Sequence, residues 1–111
     1  MTAVSVFTRI MQGDIPADIL HEDQHCIVIN DIHPQAPVHM LVIPRKPLES
    51  LAKAEETDQL LLGHLLLVAS KMARQRGLEN GFRLVANNGK AAGQTVFHLH
   101  FHVLGGRAWA E

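Results

Sequence analysis

The stretch "GQTVFHLHFHVLGG", Gly93 to Gly106, sets His98, His100 and His102 on alternate positions, with Leu99, Phe101 and Val103 between them. A β-strand has a side-chain period of two, so these sets point to opposite faces. One face is an apolar stripe of Phe97, Leu99, Phe101 and Val103; the other is a row of imidazoles. Burying the apolar stripe fixes the register, because a slip of one residue would drive the histidines into the core. A strand built this way holds its imidazole face toward something other than the core.

Working outward, "GFRLVAN", Gly81 to Asn87, reads as a second strand. "NNGKAAG" carries the Asn-Gly signal of a tight turn, so the two strands are expected to form an antiparallel hairpin. "HCIVIND", His25 to Asp31, and "HMLVIP", His39 to Pro44, read as further strands, the latter apolar on both faces and therefore central. "HPQAP" between them is a loop. A long helix is expected over 57–76, with Thr57 as N-cap and Gly77 as its stop. Leu61, Leu65, Val68 and Met72 form its apolar face, while Leu60 and Leu67 widen that face beyond what one sheet requires. "FTRIMQG", Phe7 to Gly13, is expected to be a short helix, followed by a turn through Asp14 and Pro16. Strands, one long helix and a closing hairpin define an α+β domain with a mainly antiparallel sheet. If the long helix covers the Leu99/Phe101 face, the histidine face stays open to a ligand.

The totals fit this reading. A chain of 111 residues accommodates one domain, 1–111, and 47% hydrophobic with 19% charged residues is ordinary for a globular chain. A net charge of −1 gives no electrostatic case for nucleic acid or an anionic membrane. One cysteine, Cys26, excludes an internal disulfide, which suits a reducing compartment. Its setting in "CIVIN" makes it a core residue. No signal segment is read at the start. The longest apolar run, "LLLGHLLLVAS", is interrupted by His64 and too short to span a bilayer. A cytoplasmic protein is the expectation.

Three chemistries compete for the row of imidazoles. A metal site is disfavoured: alternate residues lie about 6.8 Å apart along a strand, so three rings cannot readily converge, and a further ligand, first of all His39, would be needed. A merely solvated face does not explain three histidines in strict alternation. Catalysis uses what imidazole does near neutrality. A neutral ring attacks phosphorus through one nitrogen while the other gives its proton to a carbonyl, and a neighbouring ring stabilises phosphate charge or protonates a leaving amine. His100, with a neighbour on each side, is the expected nucleophile. Gly93, Gln94 and Thr95 offer backbone N–H groups and a hydroxyl as an anion nest. No metal or other cofactor is expected.

At "HLHFHVLGG" the chain resembles the histidine triad (HIT) family. The blocks "DIPADIL", "DIHPQAPVHMLVIP", "GFRLVANNG" and "GQTVFHLHFHVLGGR" resemble its Hint branch, the purine nucleoside phosphoramidases, in order and spacing. The resemblance implies a homodimer whose two five-stranded antiparallel sheets, each with one long and one short helix, join across the interface. It implies hydrolysis of nucleoside 5′-monophosphoramidates, AMP or GMP linked to an amine, through a nucleotidyl-histidine intermediate. His100 matches the nucleophile, His98 and His102 its triad partners, and His39 the fourth active-site histidine. Asp31 matches the ribose contact with Ile32 beside the nucleoside, and Asn87, Gly93, Gln94 and Thr95 match the phosphate side. His21, His25 and His64 match no motif and are read as structural or surface residues.

Thr95 stands where the family often has serine, keeping the hydroxyl but stiffening χ1. His33 stands where "DISP" is common, adding a titratable ring near the ribose. The stretch after "GGRAWA" is short, which bears on the leaving-group side. The alternatives are a non-enzymatic purine-nucleotide-binding or partner-docking protein, and a dinucleoside polyphosphate hydrolase of the same family. The intact triad argues against pure binding, which would not need His100.

Overall fold

The computed structural model describes residues 4–109. Both chain ends lie outside the described residues, and with them the start at which no signal segment is read and the last residues of the tail. A five-stranded sheet runs in the order β1-β2-β3-β5-β4, every pair antiparallel. The strands are β1 (Ile19–Glu22), β2 (Cys26–Asn30), β3 (Val38–Pro44), β4 (Arg83–Val85) and β5 (Phe101–Gly105). Helix α1 (Val6–Met11) precedes them, and α2 (Gln59–Gln75) separates β3 from β4.

The strand "VHMLVIP" is central, as its two apolar faces require, and six of its residues, His39 to Pro44, are buried. Its two faces feed two cores. Met40 and Val42 join Cys26, Val28, Leu99, Phe101 and Val103 beneath Leu65, Val68, Ala69 and Met72 of α2. Leu41 and Ile43 join Ile27 and Ile29 beneath Phe7 and Ile10 of α1. Each large aliphatic side chain buried in this way contributes about 1.5–3 kcal/mol before entropy is counted. The expected division holds for Leu99, Phe101 and Val103, which lie under α2. Phe97 departs from the stripe and is 47% exposed.

The reason is that the histidine strand is shorter than the alternation suggests. Ladder pairing begins at Phe101, and residues 96–98 bend on the way in. His98 and His100 therefore sit on the approach to β5 and only His102 lies within it. The hairpin partner is correct, with Leu84 opposite Val103, but the connection is not a tight turn. It is a long loop through a short 3-10 turn at Lys90–Ala92, buckled by the buried Gln94 side chain, which accepts from the Gly89 N–H and donates to the Glu49 and Val96 carbonyls.

The long helix starts later than expected. A 3-10 turn at Glu56–Asp58 precedes it, and the Asp58 carboxylate, not Thr57, ties the entry by accepting from the Glu55 N–H and Lys46 Nζ. Leu65, Val68 and Met72 are buried, whereas Leu60 and Leu67 are 89% and 72% exposed. The paired glycines at the end of β5 are steric necessities. A Cβ on Gly105 would stand 2.6 Å from Leu78 Cδ1, and Gly106 has a φ of +86° beside Pro37. Edge strand β1, in "DIL", carries no alternation strong enough to read; its pairing with β2 shows it.

Among the described residues no helix is long and apolar enough to cross a membrane. Cys26 is fully buried, and burial, reinforced by the nearby Asp23 carboxylate, pushes its thiol up to about 12, consistent with a core residue.

Candidate active site

The site lies on the α1 side of the sheet, where β3 and β5 bring His39 and His102 together. In the ladder His39 is opposite Leu104 and His102 opposite Leu41, so the two histidines are diagonal neighbours on one face. Their rings meet with His39 Nε2 2.9 Å from His102 Nδ1. His100 packs edge-on against His102 and Phe7, with ring centroids 5.0 Å away in each case.

Backbone groups of fixed polarity decide which nitrogen of each ring carries a proton. A carbonyl only accepts and an N–H only donates. His100 Nδ1 lies 2.8 Å from the His98 carbonyl, so Nδ1 holds the proton and donates it. In the neutral ring Nε2 is then the bare nitrogen. The Gln35 N–H donates to His39 Nδ1 at 3.0 Å, so His39 carries its proton on Nε2 and donates to His102 Nδ1. His102 in turn keeps its proton on Nε2. Two adjacent rings thus have opposite polarity: a bare nitrogen on His100 and an N–H donor on His102. Burial lowers the His102 pKa to about 4, with the charges of His100 and His39 adding to the effect, so this donor is a neutral ring at pH 7. Burial likewise lowers His39, partly offset by the Asp31 carboxylate 3.3 Å away.

His98 differs from its two partners. It is 1% exposed and lies under the site rather than in it. Its Nε2 donates to the Pro44 carbonyl at 2.7 Å, and its Nδ1 accepts from Ser5 Oγ at 2.6 Å. Burial lowers its pKa, as does the His100 charge, against the raising effect of the Pro44 carbonyl. The ring is a pillar: its backbone carbonyl sets the His100 tautomer, while its side chain bolts the approach segment to β3 and α1.

A cavity of about 780 Å³ opens over this face, large enough for a nucleotide-sized ligand. Asp31, Ile32, His39, Asn87, Thr95, His100 and His102 all line it, so the fold brings these sequence-derived candidates together. Asp31 follows β2; its Oδ1 accepts from the His33 N–H, which fixes the carboxylate at the cavity wall. Ile32 is 85% exposed at the rim, an apolar surface available to a flat ring. His33 also lines the cavity. Gly93, Gln94 and His98 do not. The anion nest expected from Gly93 and Gln94 is not formed, because their N–H groups donate to the Lys90 and Gly89 carbonyls. Thr95 alone of that trio faces the cavity.

Ser5, Phe7, Gln35 and Pro44 escaped the sequence reading. Ser5 is both N-cap of α1 and hydroxyl partner of His98, across 93 residues of chain. Phe7 wedges against His98 and His100. "HPQAP" signals a loop but not that the Gln35 N–H reaches His39. Only the helix signal around Phe7 pointed to this region, and nothing in it pointed to a ring 93 residues away.

An α+β domain that presents His39, His100 and His102 to one cavity, with His98 buried beneath them, defines a histidine-based hydrolase fold. Residues 12–109 match the HIT domain family model, and the chain belongs to that family. An uncharacterized HIT-like protein of Synechococcus elongatus is 51% identical over 110 residues, covering 99% of this chain and 96% of its own. Among solved structures, a HIT family hydrolase from Clostridium thermocellum superposes with a TM-score of 0.95 at 40% identity, covering 100% of this chain and 97% of its own. A second, from Legionella pneumophila, gives 0.92 at 42% identity over 95% of both chains. These neighbours support a hydrolase.

Proposed function

We propose that the chain is a nucleoside phosphoramidase of the Hint branch, hydrolysing the phosphorus–nitrogen bond of a purine nucleoside 5′-monophosphoramidate. The observation that carries the reading is the opposed polarity of His100 and His102. In the first step His100 Nε2 attacks phosphorus, and the phosphorus–nitrogen bond breaks as the amine takes a proton from water and leaves. The His102 Nε2–H donates to a phosphoryl oxygen as charge develops on it, an interaction that strengthens toward the transition state. His39 holds His102 in the donor tautomer, and the Gln35 N–H holds His39. In the second step water attacks the same phosphorus, the phosphorus–Nε2 bond breaks, and the nucleoside monophosphate departs. Asp31 takes the ribose hydroxyls, Ile32 packs on the base, and Asn87 and Thr95 meet the phosphate. No metal or cofactor enters these steps.

The same reading carries a cytoplasmic homodimer. Its support is edge strand β4, paired on one side only by β5, together with the exposed Leu60, Leu67, Phe82 and Leu84. Joining two such edges gives the shared sheet that the resemblance implies. Sedimentation at micromolar concentration tests it; a monomer throughout would contradict it.

The activity test is turnover of an adenosine 5′-phosphoramidate with an aromatic amine leaving group, run beside a dinucleoside polyphosphate. Release of the amine and AMP is expected. Preference for the polyphosphate would move the chain to another branch of the family, and AMP binding without turnover of either would leave a nucleotide-binding protein.

A further inference from the structure

On the opposite face of the sheet, four metal-ligating side chains gather that the triad chemistry does not use. His21 Nε2 and His64 Nε2 both lie 2.8 Å from Asp23 Oδ2, and Cys26 Sγ lies 3.6 Å from the same oxygen. The ligand atoms of His21, Asp23 and Cys26 fall within 4.8 Å of one another. Tetrahedral zinc, with bonds of about 2.0–2.3 Å, sets its ligand atoms roughly 3.3–3.7 Å apart. His21, Asp23 and Cys26 stand near that spacing, and His64 reaches the cluster through Asp23 Oδ2.

The cluster is also held in place. Asp23 Oδ1 accepts from the His25 and Cys26 N–H groups at 2.7 and 2.9 Å, which closes the β1–β2 turn and leaves Oδ2 turned to the other three groups. Cys26 is locked in β2 opposite Pro44, and His21 in β1 opposite Val28. Three of the four groups therefore come from one hairpin, in the spacing His-x-Asp-x-x-Cys, and the fourth from the middle of α2. The cysteine is fully buried, while the side chains of His21, Asp23 and His64 are 20%, 26% and 35% exposed, so the cluster has a closed floor and an open mouth.

We propose that His21, Asp23, Cys26 and His64 form a binding site for a borderline-soft divalent cation of the zinc type, remote from the triad. A donor set of two imidazoles, one carboxylate and one thiolate suits zinc and is poorly matched to magnesium or calcium. Binding replaces the Cys26 thiol proton with a metal–sulfur bond. Each imidazole coordinates through Nε2 as a neutral ring with its proton on Nδ1, so about one proton is released per ion from the thiol. The ion ties α2 to the β1–β2 hairpin and stabilises the α2 face of the sheet.

The test uses the full chain stripped of metal with a chelator, titrated with Co²⁺ and then with Zn²⁺. One Co²⁺ per chain is expected, with tetrahedral visible bands and a near-ultraviolet thiolate-to-cobalt band, both removed when Zn²⁺ displaces it. Cys26→Ser should abolish the near-ultraviolet band. His21→Ala and His64→Ala should each weaken Co²⁺ binding by more than about 100-fold, while His39→Ala should leave it unchanged. His21 lies on the edge strand, so its variant reads the site even if Cys26→Ser fails to fold. Absence of stoichiometric Co²⁺ binding, survival of the near-ultraviolet band in Cys26→Ser, or loss of binding through His39→Ala instead of His21→Ala would each overturn the proposal.

Discussion

The two faces of the sheet each hold a histidine cluster, and the clusters are wired differently. On the α1 face the rings lean on backbone groups: the His98 carbonyl for His100, the Gln35 N–H for His39, the Pro44 carbonyl for His98. Backbone partners have one polarity each, so they fix tautomers and leave a bare nitrogen beside a donor. On the α2 face His21 and His64 converge on a single carboxylate oxygen, Asp23 Oδ2. A carboxylate takes a proton, a hydrogen bond or a cation at the same point, so it gathers rings without assigning them different tasks. Residue type is the same on both faces; what differs is whether the partner of each ring can change its mind.

The largest effect expected from breaking the first arrangement is at His100. His100→Ala removes the attacking nitrogen while leaving Asp31 and Thr95 at the cavity wall, so kcat for the phosphoramidate should fall by more than about 10³-fold with little change in AMP affinity. Steady-state kinetics and calorimetric AMP titration check both halves. His102→Ala removes a donor rather than the nucleophile and should cost about 10²–10³-fold in kcat. Equal losses in the two variants would show that the polarity difference between the rings does not matter.

Acid should weaken the α1 face. His102, His98 and His39 are held below their ordinary values by burial, His102 down to about 4. Between that value and an unfolded value of about 6.5 the unfolded chain binds more protons than the folded one. Their contribution to stability is therefore complete above about pH 6.5 and is lost as pH falls toward 4. Thermal unfolding across this range should show a falling Tm, and His102→Gln should flatten the slope. A Tm that rises on acidification would contradict buried neutral rings.

Smaller effects sharpen the contrast. Ser5→Ala deletes both the N-cap of α1 and the hydroxyl partner of His98, and denaturant unfolding should show a loss of about 1–2 kcal/mol. His64→Ala breaks a partly exposed contact between α2 and the turn and should cost about 1 kcal/mol or less by the same measurement.

Much of this architecture could be read from the chain because burial leaves periodic marks. "VHMLVIP" is apolar on both faces and sits in the centre; Leu99, Phe101 and Val103 alternate and lie beneath α2. Asp31, His39, His100 and His102 were legible as candidates, and one cavity takes them all. Features fixed by partners distant in sequence were not legible. The bend at 96–98 exposes Phe97 and buries His98, which alternation alone assigns the other way round. The Gln94 side chain bonds that shape the loop draw on Glu49, and the Ser5 bond to His98 spans almost the whole chain. The gathering of His21 and His64 around Asp23 needed the packing of α2 on the hairpin, since no motif spacing links them.

The central claim is that His100 Nε2 is the nitrogen that attacks phosphorus. The most direct measurement is intact-protein and peptide mass spectrometry of the chain, rapidly quenched during turnover of an adenosine 5′-phosphoramidate. The account predicts a mass increase of one adenylyl group mapping to the peptide that holds His100, with none in His100→Ala. An adduct on His98 or His102, or one that persists in His100→Ala, would contradict it.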